Sequence, residues 1–97
     1  MNNITTEDIK DIVLKLVATF NNKNRDYGNS FQRVREEYKE FPVILIRLED
    51  KFRRLKTLLT KLVTQQAVKD ETIEDTLLDL ANYAIMEVAC MRKDRES

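Results

Sequence analysis

Histidine is absent from the 97 residues, and cysteine, glycine and proline occur once each, as Cys90, Gly28 and Pro42. Each scarcity removes a class of chemistry or architecture. Without histidine there is no Ser-His or Cys-His catalysis. A single cysteine supplies neither a Cys/His zinc site nor an intramolecular disulfide. So little glycine and proline argues against a turn-rich β architecture. No sign of charge dominates either, because Lys plus Arg and Asp plus Glu number 17 each and the net charge is zero. A general nucleic-acid binder needs a basic excess to neutralise phosphates, and none is present. Bulk charge likewise gives no attraction to a membrane surface. The start of the chain is polar and the apolar runs are short, so neither a signal peptide nor a transmembrane span is expected. The expectation is a soluble, cytoplasmic protein.

What remains favours helices. Hydrophobic residues make up 42% of the chain and charged residues 35%. The length suits one small domain over residues 1–97, with a charged tail from about Arg92 that frays. Small domains bury a modest share of their surface, so oligomerisation is the natural way to bury more. A homo-oligomer, dimer or tetramer, is expected. The fold expectation is an all-α bundle of three long helices and one short one.

Helical spacing marks the elements. Thr5 and Asp8 fit a capping box, and Ile9, Ile12, Val13, Leu16, Val17 and Phe20 then form one stripe. KNRDYGNSF, Lys23 to Phe31, reads as a loop, with Ser30 as N-cap of a short helix carrying Phe31, Val34, Tyr38 and Phe41 up to Pro42. A third helix over about Val43 to Val63 carries the seam Leu45, Leu48, Phe52, Leu55, Leu59 and Leu62. Thr64 to Asp70 reads as a connection, and Thr72 with Asp75 as a second capping box. The last helix is expected to turn Leu77, Leu80, Ala81, Ala84, Ile85 and Val88 inward.

Three polar groupings stand apart from those seams. Arg47, Asp50, Lys51 and Arg54 share one strip of the third helix, with Val43 and Leu58 above and below them. Apolar neighbours on a charged strip point to partial burial against a helix, a subunit or a ligand. Arginine forks match phosphate geometry and lysine adds a point charge. The plainer reading is ion pairing between helices or subunits, or simple solvation. Glu71, Asp75, Asp79 and Asn82 line one strip of the last helix. Carboxylates stacked at i and i+4 repel, and a divalent cation or a basic partner relieves that repulsion. Hard oxygen donors of this kind suit Mg, so Mg is the candidate metal, with Glu71, Asp75 and Asp79 as its ligands. No zinc and no organic cofactor are expected. A solvated face near a helix N-terminus is the plainer alternative, and it covers Glu71 and Asp75 better than Asp79. The third grouping is the loop: Gly28 for close backbone approach, Asp26 and Asn29 for turns, Tyr27 for stacking on a base, and Ser30 opening a helix whose N–H groups hold an anion. An ordinary helix-loop-helix corner explains the same residues.

Taken together, KNRDYGNSF, IRLEDKFRRLKTLL from Ile46 and VKDETIEDTLLDLANYAI from Val68 resemble the nucleotide-modification-associated domain family, first type. These are small helical proteins common in phages and prophages. The resemblance covers roughly Lys23 to Ile85, with three blocks in order. It implies that Asp26, Tyr27, Gly28, Ser30, Arg47, Asp50, Lys51, Arg54, Asp70, Glu71, Asp75, Asp79, Asn82 and Tyr83 fall on the family's motif positions. It also implies a location in the cytoplasm of the host cell, if the chain is phage-encoded. More distantly, the chain is similar to MazG-like all-α nucleotide pyrophosphohydrolases, oligomeric helical proteins with acidic Mg-binding helices. Their Glu-Glu-x-x-Glu block has a counterpart in Glu36, Glu37 and Glu40, but Pro42 then interrupts and the later block reads Asp75-x-x-x-Asp79. That departure weighs against hydrolysis more than against nucleotide binding.

Three functions follow. The first is a nucleotide-binding protein of phage type, with Arg47, Lys51 and Arg54 on phosphates and Asp50 orienting them. Asp75, Asp79 and Asn82 meet Mg or ribose hydroxyls, while Tyr27, Gly28, Ser30 and Tyr83 complete the site. Such a protein holds its ligand unconverted, and a host immune signal is one candidate. The second is a Mg-dependent nucleoside triphosphate pyrophosphohydrolase, in which a carboxylate positions the water. The third is a non-catalytic oligomeric interaction domain whose charged strips pair across subunits.

Overall fold

A computed structural model describes residues 2–21, 25–63 and 70–96, with side chains described for 2–21, 29–61 and 72–96. The chain is all-α. Its four helices are α1 (Thr6–Thr19), α2 (Arg25–Glu37), α3 (Val43–Val63) and α4 (Asp70–Glu96), and no strand occurs among the described residues. They fall into two compact units, residues 1–33 and 34–97.

In the first unit, the capping box of α1 forms as the sequence implies. Thr5 is extended, its Oγ1 accepts from the Asp8 N–H at 3.1 Å, and Asp8 Oδ2 accepts from the Thr5 N–H at 2.8 Å. Such a reciprocal cap contributes on the order of 1 kcal/mol to helix stability. The apolar stripe of α1 is not buried in this chain: Ile9, Ile12, Val13 and Val17 are each about half exposed.

The expected glycine loop is a helix. α2 begins at Arg25, so Asp26, Tyr27, Gly28, Asn29 and Ser30 all lie inside it, and Ser30 is no N-cap. A single glycine costs a helix roughly 1 kcal/mol, too little to stop one that its neighbours favour. The side chains of Asp26 and Tyr27 and the surroundings of Gly28 lie outside the described residues. Phe31 is buried, whereas Ser30 is exposed.

In the second unit, α2 gives way to a turn at Tyr38, and Pro42 directly precedes α3, where its missing N–H costs nothing. α3 matches the expected span. α4 starts two residues before Thr72, and Thr76 Oγ1 donates to the Thr72 carbonyl at 2.8 Å. Thr72 is therefore inside the helix, and the expected Thr72–Asp75 capping box does not open it. α4 stays helical through Glu96, beyond the point where fraying was expected, and Lys93 pairs with Glu96 at 3.3 Å.

α3 packs on α4 as an antiparallel hairpin. Arg47 meets Tyr83 and Lys51 meets Asp79, so four residues forward on α3 match four residues back on α4. The buried residues of the pair are Val43, Leu58, Thr76, Tyr83, Met86 and Cys90. This corrects the expected packing faces. Leu45, Phe52 and Leu59 of the α3 seam, and Leu77, Ile85 and Val88 of the α4 seam, are each about half exposed. Spacing identifies an apolar stripe, but it does not say whether the chain itself covers that stripe.

Candidate functional site: the charged face of the α3–α4 hairpin

The hairpin has two unlike sides. At 100° per residue, Arg54 and Asp50 lie roughly 25° and 65° to one side of the line through Val43, Arg47, Lys51 and Leu58, and Leu59, Phe52 and Leu45 lie roughly 115–155° to the other. On α4, Asp75, Asp79 and Asn82 are displaced in the same sense as Asp50 and Arg54, while Leu77 and Val88 are displaced in the opposite sense. In an antiparallel pair, equal rotation carries both helices to the same side. The basic strip of α3 and the acidic strip of α4 therefore share one face.

On that face Lys51 Nζ lies 3.3 Å from Asp79 Oδ2. The lysine is the better-covered partner, with 26% of its side chain exposed against 56% for the aspartate. One turn away, the Arg47 guanidinium sits 6.0 Å from the centre of the buried Tyr83 ring. A cation over an aromatic face at this range is attracted by the ring quadrupole. Arg47 Nε is buried and makes no hydrogen bond among the described residues. A buried donor left unpaired costs about 1–3 kcal/mol, so the site stores demand for an acceptor. Asp50, Arg54 and Asp75 are exposed, and Asn82 is half-buried.

The structure thus brings Arg47, Lys51, Asp79 and Tyr83 together, with Asp50, Arg54, Asp75 and Asn82 alongside on the same face. Tyr27, Gly28 and Ser30 belong to the first unit. The Glu71 side chain lies outside the described residues, and among those described no group of three or more acidic or thiol side chains is placed to hold a metal.

A second polar constellation was not singled out from the sequence. Arg35 donates from Nε to Glu87 Oε1 at 2.9 Å and from Nη2 to Glu87 Oε2 at 3.0 Å, and from Nη1 to Asp94 Oδ2 at 2.7 Å. The hydrogen bonds to Glu87, then those to Asp94, hold its positive charge more firmly than in a free guanidinium. The network borders a cleft of about 490 Å³ at the start of α3, lined by Lys39, Phe41 and Val43 among others. Its partners are 52 and 59 residues apart in sequence, and no local spacing signals such a pairing. Glu36 and Glu40 line the same cleft. Beneath it, burial pushes the Cys90 thiol pKa up, with Arg35 opposing the shift.

No helix among the described residues is long and apolar enough to cross a membrane. Comparison with curated proteins and with solved structures returned no match. A family model does match, over residues 23–91, a span that includes all of α2 and α3 and every charged residue of the hairpin face. This chain belongs to the nucleotide modification associated domain 1 family.

Proposed function

We propose that the charged face of the hairpin binds a phosphorylated nucleotide and holds it without converting it. The observation that carries this reading is Arg47, whose buried Nε lacks an acceptor beside the Lys51–Asp79 pair. A phosphate oxygen is the acceptor that such a donor and a neighbouring ammonium favour. Arg54, exposed one turn further along α3, extends the basic strip for a second phosphate. Asp50 orients these donors, while Asp75 and Asn82 meet ribose hydroxyls on the opposite helix. Tyr83 backs Arg47, its ring centre 6.0 Å from the guanidinium.

Binding requires Lys51 to exchange the Asp79 carboxylate for phosphate. Mg enters with the nucleotide, screening Asp79 and Asp75 from its phosphates. Sequestration fits a phage-type protein of this family, and a host nucleotide signal is a candidate ligand.

The test is calorimetric titration of a panel of nucleoside mono-, di- and triphosphates and cyclic dinucleotides, with and without Mg, followed by chromatography of the ligand. The expected result is saturable binding, lost in Arg47→Met and Lys51→Ala, with the ligand recovered intact. Recovery of a monophosphate and pyrophosphate would replace this reading with hydrolysis. Absence of binding across the panel, with mass spectrometry finding no co-purified small molecule, would overturn it.

A further inference from the structure

Two hydrogen-bonding groups of the charged face are unmet, one on each helix. The first is the Nε of Arg47 on α3. The second is the amide of Asn82 on α4, which is half-buried and makes no hydrogen bond among the described residues. Asn82 is next in sequence to Tyr83, the ring whose centre lies 6.0 Å from the Arg47 guanidinium. The two helices also offer a ligand unlike chemistry. The cations of α3, Arg47, Lys51 and Arg54, only donate. On α4, Asp75 and Asp79 only accept, and Asn82 does both.

We infer that, with phosphate on Arg47 and Lys51 as proposed above, the charged face selects ribonucleotides over 2′-deoxyribonucleotides. Asn82 makes the selection by hydrogen bonding the ribose 2′-hydroxyl. Position favours the sugar over the base. From a phosphate at Arg47 Nε the next group of a nucleotide is the ribose, and Asn82 is one residue along α4 from the ring beside that guanidinium. The base lies one unit further out. The chemistry of the amide favours a vicinal diol. Its oxygen accepts from one hydroxyl while its N–H donates to the oxygen of the other. A deoxyribose lacks one of those hydroxyls and leaves half of the pairing unmade.

Burial decides which residue discriminates. Asp75 is exposed, so water replaces a bond lost there, whereas a half-buried amide left against a methylene is less readily rehydrated. A site that bonds a substrate hydroxyl rejects the analogue lacking it for this reason. The 2′-hydroxyl is also the group by which proteins tell the two sugars apart.

The experiment is calorimetric titration of the full chain, with Mg, against ribonucleotides and their 2′-deoxy counterparts in pairs. The pairs are the mono- and triphosphates of adenosine, guanosine, cytidine and uridine, and cyclic diadenylate and diguanylate. Among pairs that bind the wild type, the ribonucleotide is expected to bind roughly three- to tenfold more tightly, the worth of one hydrogen bond. Asn82→Leu is expected to bring the ribonucleotide down to the affinity of its deoxy counterpart. It leaves the deoxy affinity unchanged and keeps a helical circular-dichroism spectrum. Equal or tighter binding of the deoxy member by the wild type overturns the selection, needs no variant to do so, and leaves the nucleotide reading standing. A ribose preference that survives intact in Asn82→Leu equally overturns the role of Asn82. Absence of binding by either sugar form overturns the nucleotide reading itself, and the selection with it.

Discussion

Lys51 and Asp79 face each other across the hairpin at 3.3 Å, the lysine mostly covered and the aspartate mostly open. The pair is worth little to stability, about 0–1 kcal/mol for a contact this exposed. Its interest is competitive. Asp79 occupies the side of Lys51 that a phosphate would need, so Asp79→Asn should raise Mg-free nucleotide affinity several-fold while changing the melting temperature little. Titration of both proteins in chelator-treated buffer checks this. Weaker Mg-free binding in the variant would show that the carboxylate holds the ligand rather than excludes it.

Arg47 offers the opposite separation of fold and function. Removing a buried donor that has no acceptor relieves a desolvation cost, and methionine keeps the apolar stem against Tyr83. Arg47→Met should therefore leave urea stability unchanged or raise it by about 1 kcal/mol. It should also abolish the stabilisation that nucleotide confers. Denaturant melts with and without ligand measure both quantities.

Arg35 ties the end of α2 to α4 through three hydrogen bonds to two carboxylates, and Glu87 is only 18% exposed. Its loss leaves a half-buried carboxylate without its partner, so Arg35→Ala should cost about 1–3 kcal/mol. Glu87→Ala in the same background should recover part of that loss. A double-mutant cycle by urea denaturation gives the coupling directly.

Cys90 carries the pH prediction. Burial raises its thiol pKa above the unfolded value near 9.0, so at high pH the unfolded chain releases a proton that the folded chain keeps. The stability linked to the neutral thiol is present below about pH 9 and is lost as pH rises through the folded pKa. Relative to Cys90→Ala, the wild type should thus lose stability faster above that pH. At neutral pH its thiol should react with a maleimide far more slowly than after denaturation, since both burial and the small thiolate fraction protect it.

Much of this architecture is legible in the sequence because it is local. The Thr5–Asp8 box, the span of α3 and the break at Pro42 each depend on residues within a turn of one another. The charged strips were legible too, and Val43 and Leu58 beside them correctly marked that side of α3 as partly buried. The roles of the apolar seams were not, because a leucine stripe has the same spacing whether its own chain or another surface covers it. Gly28 misled for a different reason. Its intrinsic freedom suggests a joint, but propensity is a weak term that the surrounding residues outvote. The Arg35 network is invisible to any window along the chain, since its partners meet only after α4 has folded back.

The matched steps of four that align Arg47 with Tyr83 and Lys51 with Asp79 also make the hairpin intolerant of altered spacing. Deleting one residue between Arg47 and Lys51 would swing everything upstream in α3 by about 100° and carry Arg47 off the tyrosine. Ile46 would meanwhile turn toward α4 in place of the guanidinium. Drift in this chain is therefore expected to proceed by substitution within α3 and α4, with changes in length confined to the segments that join the helices.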